Sequence, residues 1–158
     1  MRDALCYHMC MKVFFTASSS GSQKAHRENY LQILEILQSL SHKITNPYYA
    51  ATIKEDGHAD GDVVQTDDVS DALRKRIAYS DCVIAEITVP SISLGIQIEY
   101  ALNKKIRVLC LYKKGCNGDL PLMVRDDRNP RLFKEDYTSE SVAGLIKKFI
   151  SQVPGSST

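Results

Sequence analysis

A chain of 158 residues, 44% of them hydrophobic, is sized for one domain around a single core. Its 20 basic and 19 acidic residues leave a net charge of +1, which gives no field for a nucleic-acid polymer or an anionic membrane surface. No apolar run approaches the roughly 20 residues that span a bilayer, and the N-terminus lacks the layout of a secretory signal, so a cytoplasmic protein is expected. Five cysteines, an odd number, argue against a disulfide framework. Cys82 and Cys110 lie inside apolar runs, where a thiol acts as a small hydrophobe.

Residues 1–10 (MRDALCYHMC) show no helical or strand period and read as a disordered leader. Cys6, His8 and Cys10 are too few ligands for a closed zinc site, and no metal is expected. A single domain is expected over residues 11–153, with a disordered tail over 154–158. Lys12 to Thr16 (KVFFT) predicts a strand, followed by the small-residue loop Ala17 to Ser22 (ASSSGS). A helix then runs from about Gln23 to Leu40, with Tyr30, Ile33, Leu34, Leu37 and Leu40 on one face. The loop sets hydroxyls and backbone N–H groups, those of Ser18, Ser20 and Gly21 among them, at a helix N-terminus that suits an anion or a ribose. There is no GxGxxG and no Walker lysine, so neither a dinucleotide fingerprint nor a P-loop is supported. Lys43 to Asn46 (KITN) predicts a short second strand stopped by Pro47. Residues 50–66 read as a polar loop, whose Asp60 and Asp62 lack the twelfth-position glutamate of an EF-hand. From Thr66 a helix is expected, capped by Thr66 or Asp67, with Arg74, Lys75 and Arg76 toward its end and Val69, Ala72, Leu73 and Ile77 on its inner face.

The stretch from Asp81 to Tyr112 organises the rest. Cys82–Ile87 and Arg107–Tyr112 are nearly continuous apolar runs, the pattern of parallel strands covered on both faces. Between them lie a loop with Pro90 and Gly95 and a short helix carrying Glu99. Glu99 is expected one turn into that helix, where the positive helix end favours an ionised carboxylate. The helix opens at the end of a central strand, and in open α/β sheets ligands bind in the crevice beyond the strand ends. Ile96, Ile98 and Ala101 around it weigh against a plain surface glutamate. Asp81 opens its strand at the opposite end and reads as structural, and Glu86 near the exit reads as structural first. Arg131 to Lys134 predicts an edge strand, and Thr138 or Ser139 caps a last helix with Val142, Leu145, Ile146, Phe149 and Ile150 as its stripe. Five strands alternating with helices make a three-layer α/β sandwich with a mainly parallel sheet.

These residues carry a resemblance. KVFFTAS, then SDCVIAEIT-x-PS-x-SLGIQIEYAL, then RLFKEDYTSESVAGLIKKFI, is similar to the nucleoside 2-deoxyribosyltransferase-like family, which includes the 2'-deoxynucleoside 5'-phosphate N-hydrolases. The resemblance covers about Lys12 to Ile150 and is most specific from Ala85 to Glu99. It implies a flavodoxin-like fold, a small-molecule nucleoside or nucleotide as partner, no cofactor, a homodimer, and cleavage or transfer at an N-glycosidic bond. Glu99 is then the nucleophile: breaking C1'–N develops an oxocarbenium-like sugar, which a carboxylate beneath C1' stabilises and can trap. The resemblance places the 5'-phosphate on Ser93, for which Ser91 is the alternative because two extra residues separate Pro90 from Leu94. It sets Ser18 near base and sugar and Gly95 along the substrate, where the long side chain of Gln97 fills sugar space or hydrogen-bonds a different substrate. The bland readings of these residues are an N-cap for the serines and loop filler for Ser18.

The departures from the pattern are as informative. Phe14 stands where a tyrosine is usual, Ser20 where a basic residue is, and Gln97 where a second glycine is. A partner-donated serine aligns near Pro121. Leu73 takes the place of the aspartate that assists the leaving base. Asp71, Asp68 or Asp67 takes over only if the helix register shifts. Two readings stay open: an N-glycosidase or N-deoxyribosyltransferase, and a non-catalytic nucleotide-binding or signalling module on the same scaffold.

Overall fold

The computed structural model describes residues 10–18, 23–46 and 68–155. Residues 1–9 of the expected leader, the loop at 50–66 with its acidic cluster, Thr66, Asp67, Ser20, Gly21 and the last three residues of the expected tail lie outside the described residues. Strand β1 spans Lys12–Ala17, helix α1 Gln23–Ser39, β2 Lys43–Ile44, α2 Val69–Tyr79, β3 Cys82–Glu86, α3 Ile92–Asn103 and β4 Arg107–Lys113. A 3₁₀ turn at Asn117–Asp119 and the short α4 at Leu122–Arg125 lead to β5 at Leu132–Tyr137 and α5 at Val142–Ser151. The sheet is wholly parallel with strand order β2-β1-β3-β4-β5, the flavodoxin-like winding.

The apolar runs are buried on both faces, as parallel strands must be when crossover helices cover them. On one face Val13, Phe15, Ile84, Leu109 and Leu111 pack against Tyr30, Ile33, Leu34 and Leu37 of α1 and Val142, Ile146 and Phe149 of α5. Phe133 and Phe149 meet edge-on with centroids 5.4 Å apart, worth about 0.5–1.5 kcal/mol beyond their area burial. On the other face Phe14, Val83, Ala85, Val108 and Cys110 pack against Ile77 of α2 and Leu94, Ile98, Ala101 and Leu102 of α3. Burial pushes the thiols of Cys82 and Cys110 up to about 12, so both are inert packing groups. At the N-terminal edge Asp81 ties β1 to β3. Its Oδ2 accepts from the Lys12 backbone N–H at 2.7 Å, and its own N–H donates to the Lys12 carbonyl at 2.8 Å.

Several expected boundaries shift. Asp68, not Thr66 or Asp67, caps α2, its side chain accepting from the Asp71 N–H. Val69 is 53% exposed and only Ile77 of the expected inner face is buried, because a groove lined by Val69, Leu73 and Ile77 opens between α2 and α3. The last helix starts at Val142, later than a Thr138 or Ser139 cap implies, since Thr138 and Ser141 close a turn on each other's N–H groups first. Helices α1 and α3 both end with a left-handed residue, Ser41 and Lys105, each at φ 61°. In each case the next N–H reaches back to the helix (His42 to the Leu37 carbonyl, Ile106 to Ala101), the Schellman arrangement without its usual glycine. Among the described residues no helix is long and apolar enough to cross a membrane.

Candidate active site

β1 feeds α1 on one face of the sheet and β3 feeds α3 on the other, so adjacent strands part at their C-terminal ends and open a crevice there. Ser18 leaves β1 at this edge and is 1% exposed. Glu86 closes β3 beside it, paired in register with Ala17. Ser91 caps α3, its Oγ accepting from the Leu94 N–H at 3.1 Å, a contact worth about 1 kcal/mol. The capping reading of Ser91 is therefore realised.

Helix α3 begins at Ile92, two residues before Leu94. Glu99 is consequently the eighth residue of the helix, roughly 10 Å from its first residue, rather than one turn in. The field of the helix terminus fades within the first turn, so the expected assistance from the dipole does not reach Glu99. Glu99 is exposed, and its Oε1 accepts from Asn103 Nδ2 at 3.0 Å. Ser91, Gly95 and Glu99 recur every fourth position and form one row down the helix. Gly95 leaves that row open: a Cβ built there meets nothing within 4 Å.

Ser93 and Gln97 lie on the other flank. With Tyr100 they face Leu73, Arg74 and Ile77 of α2 across a groove of about 510 Å³, whose lining does not include Glu99. Gln97 Nε2 donates to Ser93 Oγ at 3.0 Å, while Gln97 Oε1 is buried with no hydrogen-bond partner. Arg74 lies over the Tyr100 ring at 5.8 Å. Leu73 thus occupies the groove where an acid was looked for, and Asp71 points away from it, held by Lys75 at 2.7 Å on the surface. Asp68 is spent on its cap. The structure gathers the predicted residues on α3 into two rows, and among the described residues it brings no α2 carboxylate to them.

Sequence reasoning missed the surroundings of Glu86. This carboxylate is fully buried; its Oε1 accepts from the Thr88 hydroxyl and from the Tyr137 hydroxyl, the latter at 3.1 Å. Thr88 Oγ1 in turn accepts from the Lys113 N–H at 2.9 Å. Oε2 and the hydroxyl of the fully buried Tyr30 have no hydrogen-bond partner. Burial raises the Glu86 carboxyl above its ordinary range, opposed by the Thr88 and Tyr137 hydrogen bonds and by the charge of Lys113. Burial and then the charge of Glu86 push the Tyr30 and Tyr137 phenols up as well. The one available signal was an acid inside an otherwise apolar strand.

A protein of Syntrophotalea carbinolica named 2'-deoxynucleoside 5'-phosphate N-hydrolase 1 is 33% identical over 135 residues, covering 83% of this chain and 87% of that protein. This chain belongs to the 2'-deoxynucleoside 5'-phosphate N-hydrolase family. The family, part of the nucleoside 2-deoxyribosyltransferase-like group, also accounts for a 28% identity over 142 residues to a 5-hydroxymethyl-dUMP N-hydrolase of Esox lucius, covering 88% of this chain and 95% of that one. A 5-hydroxymethyl-dUMP N-hydrolase of Branchiostoma floridae is 40% identical over 73 residues, 46% of this chain and 70% of that one. No protein-family model matches the chain.

Proposed function

We propose that the chain hydrolyses the N-glycosidic bond of a 2'-deoxynucleoside 5'-monophosphate, with Glu99 as the attacking carboxylate. Membership of the N-hydrolase family carries the reading, and the row of Ser91, Gly95 and Glu99 running down α3 from the sheet's C-terminal edge supports it. A phosphate over the start of α3 has free backbone N–H groups and the hydroxyls of Ser91 and Ser93 within reach. The sugar then lies over Gly95 and C1' comes toward Glu99. A Glu99 oxygen bonds to C1' as the C1'–N bond breaks, and the electron pair leaves on the base, which takes up a proton. Water next attacks C1', freeing Glu99 and giving 2-deoxyribose 5-phosphate.

An exposed nucleophile needs a cover to exclude water, and a homodimer belongs to the same proposal. Ile92 and Ile96, 86% and 54% exposed, line the groove between α2 and α3 together with the exposed Val69 of α2. A second copy seated there buries all three. Sedimentation at micromolar concentration is expected to report a dimer, and a monomer removes this part.

A second reading, a non-catalytic nucleotide-binding module, is favoured by Leu73 in the groove and by the outward ion pair of Asp71, which leave the departing base without an acid from α2. Chromatography of a panel of purine and pyrimidine nucleosides and their monophosphates decides between the two. Free base together with 2-deoxyribose 5-phosphate is expected from at least one monophosphate. Release from none of them leaves the binding module.

A further inference from the structure

Ser93 is the second residue of α3 and Gln97 sits one turn further on. A serine hydroxyl carries one proton and two lone pairs. Here the Gln97 amide N–H already takes a lone pair of Ser93 Oγ, at 3.0 Å. The Ser93 proton is thereby turned away from residue 97, and because Ser93 is exposed, it is available to donate to a group over the helix start.

The other half of the amide carries the cost of this orientation. Gln97 Oε1 is buried and without a partner, a costly state for a carbonyl. Gln97 lines the groove together with Leu73, Ile96 and Tyr100, and its amide N–H donates to Ser93. Turned over, the amide presents Ser93 with an acceptor, the hydroxyl proton swings inward, and an anion outside meets only lone pairs. The direction of one hydrogen bond therefore decides whether Ser93 attracts a phosphate or repels it. The glycine that the motif carries at this place has no side chain for such a role.

We infer that Gln97 is a positioning residue that holds the Ser93 hydroxyl as a donor to the 5'-phosphate, an inference that rests on the proposed phosphate site. The test is a double-mutant cycle on Ser93→Ala and Gln97→Ala, with Gln97→Glu as a third variant. Two quantities are read: KM for the monophosphate turned over best, and the calorimetric Kd for 2-deoxyribose 5-phosphate, which needs no catalysis. Gln97→Ala, which keeps a strong helix former in α3, is expected to raise both roughly three- to tenfold, the loss appearing in KM rather than in kcat. Gln97→Glu is expected to raise them at least about tenfold, because a carboxylate only accepts and also repels the phosphate. KM for the parent nucleoside, which lacks the phosphate, is expected to rise less than KM for the monophosphate in both. In the Ser93→Ala background Gln97→Ala adds nothing further. Unchanged or tighter binding by Gln97→Ala makes Gln97 a mere obstruction and overturns the inference, as do additive effects. A wild type that binds 2-deoxyribose 5-phosphate but releases no base defeats the hydrolase reading alone. One that does not bind the sugar phosphate defeats the positioning role.

Discussion

Glu99→Gln is expected to lower kcat for base release from a deoxynucleoside 5'-monophosphate by at least about a thousandfold, roughly 4 kcal/mol of transition-state stabilisation. The substitution keeps the size of the side chain and removes the charge that faces the developing oxocarbenium ion and the oxygen that traps it. Glutamine still fills the same space over α3, so KM should change little, the signature of an interaction made in the transition state. The fold should be indifferent. Glu99 is exposed and accepts one surface hydrogen bond, from Asn103, and such positions shift stability by less than about 0.5 kcal/mol. Single-turnover chromatography beside a thermal melt reads both. Activity within tenfold of wild type, with the melt unchanged, would move the nucleophile to another residue and end the assignment of Glu99.

The second large effect concerns stability. Glu86→Ala is expected to cost about 2–4 kcal/mol, because it opens a cavity at the end of β3 and leaves the buried Tyr137 hydroxyl without its acceptor. Glu86→Gln, which keeps an acceptor for both, isolates the charge. The folded carboxyl titrates above its ordinary 4.5, chiefly through burial, so the folded state holds the proton more tightly than the unfolded chain does. The resulting stabilisation is complete below pH 4.5 and is lost as pH rises through the folded titration. Urea denaturation of wild type and Glu86→Gln in steps from pH 4.5 to 8 should show the variant gaining relative to wild type as pH increases. A stability difference constant across that range would mean that the Glu86 carboxyl binds its proton equally in both states.

How much of this was legible in the residues follows from how local each cause is. Burial on both faces writes itself into a strand as an unbroken apolar run, so Cys82–Ile87 and Arg107–Tyr112 were readable as parallel strands, Lys12–Thr16 as a strand, and the helical stripe of α1 from its period. The capping of α3 by Ser91 and the structural role of Asp81 were also within reach, since each depends on a neighbour in the chain or on a strand start. Helix ends were less so, because Ser41 and Lys105 adopt the left-handed conformation without glycine, and Asp68 rather than its neighbours caps α2.

The chain's own order of residues determined the layers, the parallel sheet, the crevice at its C-terminal edge and the family motif that ends in Glu99. Only the tertiary structure decided which flank of α3 each motif residue serves. Helix α3 begins at Ile92, and rotation by about 100° per residue sends Ser93 and Gln97 into the groove beside α2 and leaves Glu99 outside its lining. Only the tertiary structure, likewise, joined Glu86 to Tyr137, 51 residues away. Partners that distant meet through the packing of whole strands, which no short stretch of sequence records.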